Sequence, residues 1–567
     1  MVGQFRLWSR MMTAPLPRYE RSHGFHVLRL DGDDYEMGFA HGLLLKDAIG
    51  RGPLPYFARY IEKLVSTGAL GESAASAARA LGVGLGLTVG RKIASRFPMR
   101  ARRGLEGLAD GAGIPRGELM RAVTMPETYL WVASVYKKLA KAPLGARHGV
   151  PTFGCTSAIA WGDATKHGRM LHGRNFDYQG VGAWDREQVV AFHAPKDGQR
   201  YVAITSAGIL FGGITAMNAS GLTLVVHQHI ACTDFDIGGM PVGIVGDEVM
   251  RYARSLDDAR RILDGHTPNG AWTYVVTSAR EKKALIYEVT SKRRAAFEPE
   301  TDHYGYSNIY VKEELTKTEV DFYPGYWRNN TTRYCVANER LAQAHGNIDE
   351  DVIAGVLGQV DGACRLTHCI SALTTVASVV FDAERSLVYV ASGRPPVSNR
   401  PYFPFDLSSQ TARLDVPPLT GGARMDGTSI AAFDAYREAY EAYEDQRNLP
   451  EARRCLATAR ALTPMQSAYA QVDGLLAITA CDWPAALVCF EDAIRLGHAV
   501  LERRLQFHLW RGRVLDVTGE RERAISDYRI ALSGDPNVRK AAQKGLAKPW
   551  RFKAPAIEWS FGEVIAP

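Results

Sequence analysis

Apolar positions along the 567-residue chain change their period twice. From Tyr35 to about residue 140 they recur every three or four residues, the spacing of helices with one buried face. From Cys155 to about residue 410 they alternate with polar positions in short runs, the spacing of strands. Beyond about residue 429 the helical spacing returns. The chain is therefore read as a mostly helical leader over 1–154, a strand-rich domain over 155–410, a linker over 411–428, helical repeats over 429–545 and a tail over 546–567. The fold class this predicts is α+β, with antiparallel sheets covered by helices.

In the leader, residues 1–24 read as an irregular lead-in and 26–30 as a strand. Met37, Phe39, Ala40 and Leu43 open the first helix, where Gly38 and Gly42 allow close packing and His41 is read as a packed or capping residue. Further helices are predicted over 56–64, 74–97, 105–108 and 127–139, with breaks at Pro98, Gly113-Ile114-Pro115 and Pro143. In the strand-rich part, 153–161 and 171–178 form a hairpin across Gly162, Asp163, Lys166, His167 and Gly168. Strands follow over 188–193 and 201–206, then a hairpin turning at Asn218-Ala219-Ser220-Gly221. Helices are predicted over 242–253, 256–263 and 330–344, strands over 272–277 and 284–289, and a last hairpin over 374–391. Proline and glycine crowd 395–422, where the domain boundary is drawn.

The C-terminal pattern repeats. Ala452 and Ala459 match Ala486 and Ala493, then Ala524 and Ala531, with offsets of 34 and 38 residues. Gly474 and Gly512 match as well, as do Phe490 and Tyr528. Small residues are needed where paired helices cross closely. The pattern resembles tetratricopeptide repeats, which implies a groove for a protein partner or a cover for another domain.

Composition narrows the function classes. Apolar content of 46% and charged content of 23% are ordinary for a globular chain. The longest apolar stretch, 80–90, is too short to span a bilayer, and no transmembrane segment or secretory signal is expected. Residues 1–150 hold 22 Lys and Arg against 12 Asp and Glu, more than the whole chain's surplus of +7. This is read as complementarity with the rest of the chain, with an anionic partner or membrane surface as the alternative. No nucleic-acid motif is present. The eight cysteines make no disulfide framework, and a reducing cytoplasm is expected.

Cys155 stands apart from the other cysteines. It follows Gly154, precedes Thr156 and Ser157, and lies where the pattern turns from helical to stranded. The hairpin returns Arg174 and Asp177 to its neighbourhood. Three residues apart, these two would face opposite sides of a regular strand, so a bulge or strand end near Asn175 is required. Cleavage between Gly154 and Cys155 would place an α-amine, with a pKa of about 7.7–8.0, on the nucleophile itself. Such a base needs little tuning and no separate histidine.

Gly-Cys-Thr-Ser followed by Gly-Arg-Asn-Phe-Asp resembles the N-terminal nucleophile hydrolases related to penicillin acyltransferase, over roughly 25–400. The segment Tyr35 to Gly42 is similar to the leader of that group. The resemblance implies a four-layer αββα sandwich, self-cleavage before Cys155, and acyl transfer from a small-molecule acyl amide or thioester. It assigns Cys155 as nucleophile, Arg174 as the arginine beside the thiol and Asp177 as holder of the amine. It assigns Asn308 as oxyanion donor, Arg333 as a supporting arginine and, loosely, Gln228 as the oxyanion backbone position. Met217 to Leu222 matches the family turn Met-Asn-x-x-Gly-Leu. Two alternatives stay open: a repeat scaffold with an inactive hydrolase-like domain, and an uncleaved thiol hydrolase using His227 or His303 as base. His227, His229, Cys364, His368 and Cys369 invite a metal reading, but no second ligand pair has zinc spacing. No metal and no cofactor are expected.

Overall fold

The computed structural model describes residues 18–58, 80–140, 154–230, 232–319, 324–360, 369–421, 426–560 and 563–564. Two large sheets dominate it. Sheet I contains β1 (Tyr19–Ser22), β2 (Phe25–Gly32), β5 (Gln188–Pro195), β6 (Tyr201–Ser206), β7 (Thr215–Asn218), β8 (Leu222–Gln228), β9 (Trp272–Ser278), β10 (Lys283–Val289) and β11 (Arg294–Phe297), in that spatial order. Sheet II runs β12 (His303–Tyr306), β3 (Gly154–Gly162), β4 (Gly168–Asp177), β13 (Thr375–Asp382), β14 (Leu387–Ala391), β15 (Tyr402–Asp406), β16 (Thr411–Ala412). β2 comes from the leader, yet it pairs in parallel with β5, Val27 opposite Val190. The leader is thus woven into the larger sheet.

Strand alternation sorts side chains into layers. Ile159, Val379 and Phe381 of sheet II meet Val27, Val190, Phe192 and Val275 of sheet I in a core between the sheets. Ala158, Ala160 and Leu171 point the other way, toward helices α6 (Pro324–Gln343) and α7 (Glu350–Leu357). The outer face of sheet I is covered by α4 (Val242–Tyr252) and α5 (Leu256–Asp264). The chain is therefore α+β, with a helical C-terminal region.

In the leader, α1 (Asp34–Leu44) crosses α2 (Met99–Ala112) in backbone contact. A Cβ at Gly38 would lie 2.0 Å from the Gly104 carbonyl oxygen, and one at Gly42 would lie 2.3 Å from that of Leu108. This is the close packing those glycines predict. One expectation is corrected. The helix expected from residue 127 is α3 (Arg116–Ala140), which runs through Pro126. An interior proline costs about 3 kcal/mol. Burying Leu119, Met125 and Tyr129 on the same helix offsets that, at about 1.5–3 kcal/mol for each large apolar side chain.

The described part of the stretch 395–422, residues 395–421, is sheet edge as well as connection. β15 holds Pro404 opposite Tyr389, beside the two-residue β16, a place near an edge where proline is tolerated. The C-terminal region is a run of antiparallel helix pairs: α8 (Gly427–Tyr440) with α9 (Leu449–Leu462), α10 (Ser467–Thr479) with α11 (Trp483–Leu496), α12 (Leu501–Val517) with α13 (Arg521–Ala531), then α14 (Pro536–Ala547). All six repeat alanines are fully buried. Gly474 abuts Phe490, and Gly512 abuts Tyr528. The tail packs back on the rest. Trp559 is buried against Tyr436, whose hydroxyl donates to the Trp559 carbonyl at 2.6 Å. Ser560 meets Thr374, just ahead of β13, at 3.3 Å. Among the described residues no helix is long and apolar enough to cross a membrane.

Candidate active site

β3 and β4 form the expected hairpin, with Gly154 opposite Asp177, Cys155 opposite Phe176 and Ser157 opposite Arg174. Cys155 is 4% exposed. Each of its three polar groups has a different side-chain partner. Its N–H donates to Asn308 Oδ1 at 2.6 Å. Its carbonyl accepts from Arg333 Nη1 at 2.6 Å. Its sulfur lies 3.4 Å from Arg174 Nη2.

The two arginines reach Cys155 from opposite faces of sheet II. Arg174 projects into the inter-sheet space, where Nη1 donates to Thr215 and Nη2 to the Val226 carbonyl at 3.2 Å. Phe176 carries the guanidinium over its ring at 4.6 Å. Arg333 arrives from α6 on the outer face. It also donates to Thr156 Oγ1 at 2.9 Å, to Asn308 Oδ1 at 3.1 Å and to Asn330 Oδ1 at 2.5 Å, and its Nε reaches Asn329 at 2.9 Å. Accepting from both Cys155 and Arg333 fixes which end of the Asn308 amide is oxygen. Its Nδ2 then donates to the Gln228 carbonyl at 2.8 Å. Gln228 is engaged here through its carbonyl, with Asn308 as the donor.

The facing problem of Arg174 and Asp177 is resolved at the strand end. Asp177 is the last residue of β4, and the ladder to β13 slips between Thr375 and Ala377 beside it. Thr375 Oγ1 donates to Asp177 Oδ1 at 2.6 Å. Asp177 Oδ2 borders Gly154 so tightly that a Cβ there would sit 2.9 Å away.

Burial dominates the electrostatics. It pushes the Cys155 thiol up, while Arg174 and Arg333 pull it down and Asp177 pushes it up further. The cations do not overcome desolvation, so sulfur in the intact chain is held as thiol. Burial likewise pushes the Asp177 carboxyl up, opposed first by Arg333.

Neither candidate histidine base touches the sulfur. His227 Nε2 pairs with Ser157 Oγ at 2.8 Å, and burial holds the ring well below its usual range. His303 lies opposite Ala160, about 17 Å along β3 from Cys155 at roughly 3.4 Å per residue. There it accompanies Asp302 and His345. Cys364 and His368 of the metal reading fall outside the described residues.

A cavity of about 150 Å³ opens beside Cys155, Arg174 and Asp177. It is lined by Phe57, Phe97, Leu105 and Val123 from before Cys155 and by Phe176, Tyr178, Trp184 and Ile209 from after it. Glu127 lines it too. Sequence reasoning missed Glu127, Thr215, Thr375 and Asn330. Asn330 had a signal: three residues before Arg333 on a helix, it shares that residue's face.

Residues 164–396 match a family model. Its description is acyl-coenzyme A:6-aminopenicillanic acid acyl-transferase. The match begins after Cys155 and contains Arg174, Asp177, Gln228, Asn308 and Arg333. The chain is 25% identical over 414 residues to protein dcd1B of Dictyostelium discoideum, covering 70% of this chain and 72% of that protein. It is also 25% identical over 283 residues to an uncharacterized protein of Archaeoglobus fulgidus, covering 48% of this chain and 45% of that protein. The N-terminal domain of stress-induced protein-1 from C. elegans aligns over 22% of this chain and all of its own, at 17% identity and a TM-score of 0.20.

Proposed function

We propose that this chain is a self-processing cysteine amidohydrolase or acyltransferase of the N-terminal nucleophile type, with the helix–sheet–sheet–helix layering of that fold. The boundaries are a leader ending at Gly154, a catalytic domain from Cys155 to about residue 410 and tetratricopeptide-like repeats behind it. The observation that carries this is the triple engagement of Cys155: nitrogen by Asn308, carbonyl by Arg333, sulfur by Arg174. The acyl-transferase match over 164–396 supports it.

In self-processing, the Cys155 sulfur attacks the Gly154 carbonyl carbon. The C–N bond to Cys155 breaks, the nitrogen gains a proton, and Gly154 becomes a thioester on sulfur. Water hydrolyses that ester, leaving a Gly154 carboxylate and a free thiol beside a free amine. The amine stays near Asn308 Oδ1 and Asp177. Because burial keeps sulfur protonated, a base within the same residue is well matched to the need.

In turnover, the amine takes the thiol proton and Arg174 holds the thiolate. Sulfur attacks the substrate carbonyl. The Asn308 amide has two hydrogens, one committed to Gln228, so the second serves the developing oxyanion. The leaving amine takes a proton from the ammonium, and water or an amine cleaves the thioester. The leader wall of the cavity implies that both fragments stay together after cleavage. A panel of N-acyl amides and acyl thioesters tests the reading. It expects turnover by the processed chain that Cys155→Ala abolishes; equal turnover by Cys155→Ala overturns it.

A further inference from the structure

Glu127 is an acid on a cavity lined mostly by apolar side chains. It sits on α3 directly after Pro126 and is 9% exposed. Among the described residues, its carboxyl has no side-chain partner; its own backbone N–H is the contact it makes. An unpaired buried carboxyl costs stability, and its persistence calls for a reason.

The other ionisable groups on the cavity wall are occupied. Both terminal nitrogens of Arg174 are spent on Thr215, Val226 and the sulfur. Asp177 accepts from Thr375 and abuts Gly154. Among the described residues lining the cavity, Glu127 is the ionisable group with no side-chain partner, and its charged form is negative. A ligand that fills the apolar volume meets this carboxyl.

We propose that Glu127 sets the substrate class: the cavity takes an acyl donor whose apolar body carries a cationic amine, and Glu127 receives that amine. This deepens the hydrolase reading and rests on it for the word substrate, though not for the binding. Burial pushes the Glu127 carboxyl up to about 7 when the cavity is empty. An arriving ammonium favours the carboxylate and releases that proton to solvent. In a site lined by Phe57, Leu105 and Trp184, such a pair is poorly screened.

The test separates binding from catalysis. Full-length Cys155→Ala is titrated calorimetrically at pH 8 with octylammonium, octanol and octanoate. Octylammonium is expected to bind about tenfold or more tighter than octanol, and octanoate weakest. Adding Glu127→Gln is expected to erase the preference while octanol affinity stays within about threefold. Octanol or octanoate binding as tightly as octylammonium overturns the proposal, as does a preference that survives in Glu127→Gln. The three-probe comparison needs no Glu127 variant, so it stands even if that variant fails to fold. No preference in Cys155→Ala, while the wild-type protein cleaves itself and hydrolyses amides, sinks only this inference. A preference without cleavage or turnover sinks only the enzyme.

Discussion

The Arg174 guanidinium reaches the Cys155 sulfur from the side of its sheet that meets the other sheet, with Nη2 3.4 Å from Sγ. It is the largest influence holding the thiol down against burial. Arg174→Gln removes it, so the thiol pKa must rise. The pH midpoint of Cys155 alkylation by iodoacetamide is expected to move up. An unmoved midpoint in a folded variant would show that the arginine does not govern the thiolate.

Asn308 links Cys155 to Gln228 through one amide. Asn308→Ala removes the donor assigned to the oxyanion. Its kcat is expected to fall about 10²–10³-fold with KM little changed. A loss confined to KM would assign Asn308 to substrate binding.

Gly154 is the residue before the expected scissile bond, and its open flank is closed by the Asp177 carboxylate. A valine there must push Asp177 away from the nascent amine. Gly154→Val is expected to slow precursor cleavage at least tenfold, about 1.4 kcal/mol. Band intensities over a time course after synthesis measure it, and cleavage at the unaltered rate would detach Asp177 from processing.

The helical region offers a separate check. A Cβ at Gly474 would lie 2.8 Å from the Phe490 ring. Gly474→Val is expected to destabilise the α10–α11 pair by about 1–3 kcal/mol, read as a lower urea midpoint. An unchanged midpoint would mean that the glycine slot is not a close crossing.

Local chemistry was legible in the sequence and long-range chemistry was not. The hairpin of Cys155 and Arg174 follows from alternation and turn residues alone. The strand end that turns Asp177 toward Gly154 follows from the facing argument, but its cause lies in β13, about two hundred residues on. Thr375 and Thr215 are ordinary strand residues whose roles come from strand neighbours that no spacing reveals. The helix expected from residue 127 extends back through Pro126 because the burial that offsets the proline's cost depends on tertiary packing. Glu127 hid for the same reason: an acid on a helix reads as solvated until the cavity behind it is seen.

Everything rests on the bond between Gly154 and Cys155, and intact-mass analysis of the purified, active full-length protein reads it directly. The account expects two fragments, one ending at Gly154 and one starting at Cys155, with Cys155→Ala giving a single uncleaved chain. A single full-length mass from protein that turns over acyl amides through Cys155 would contradict it.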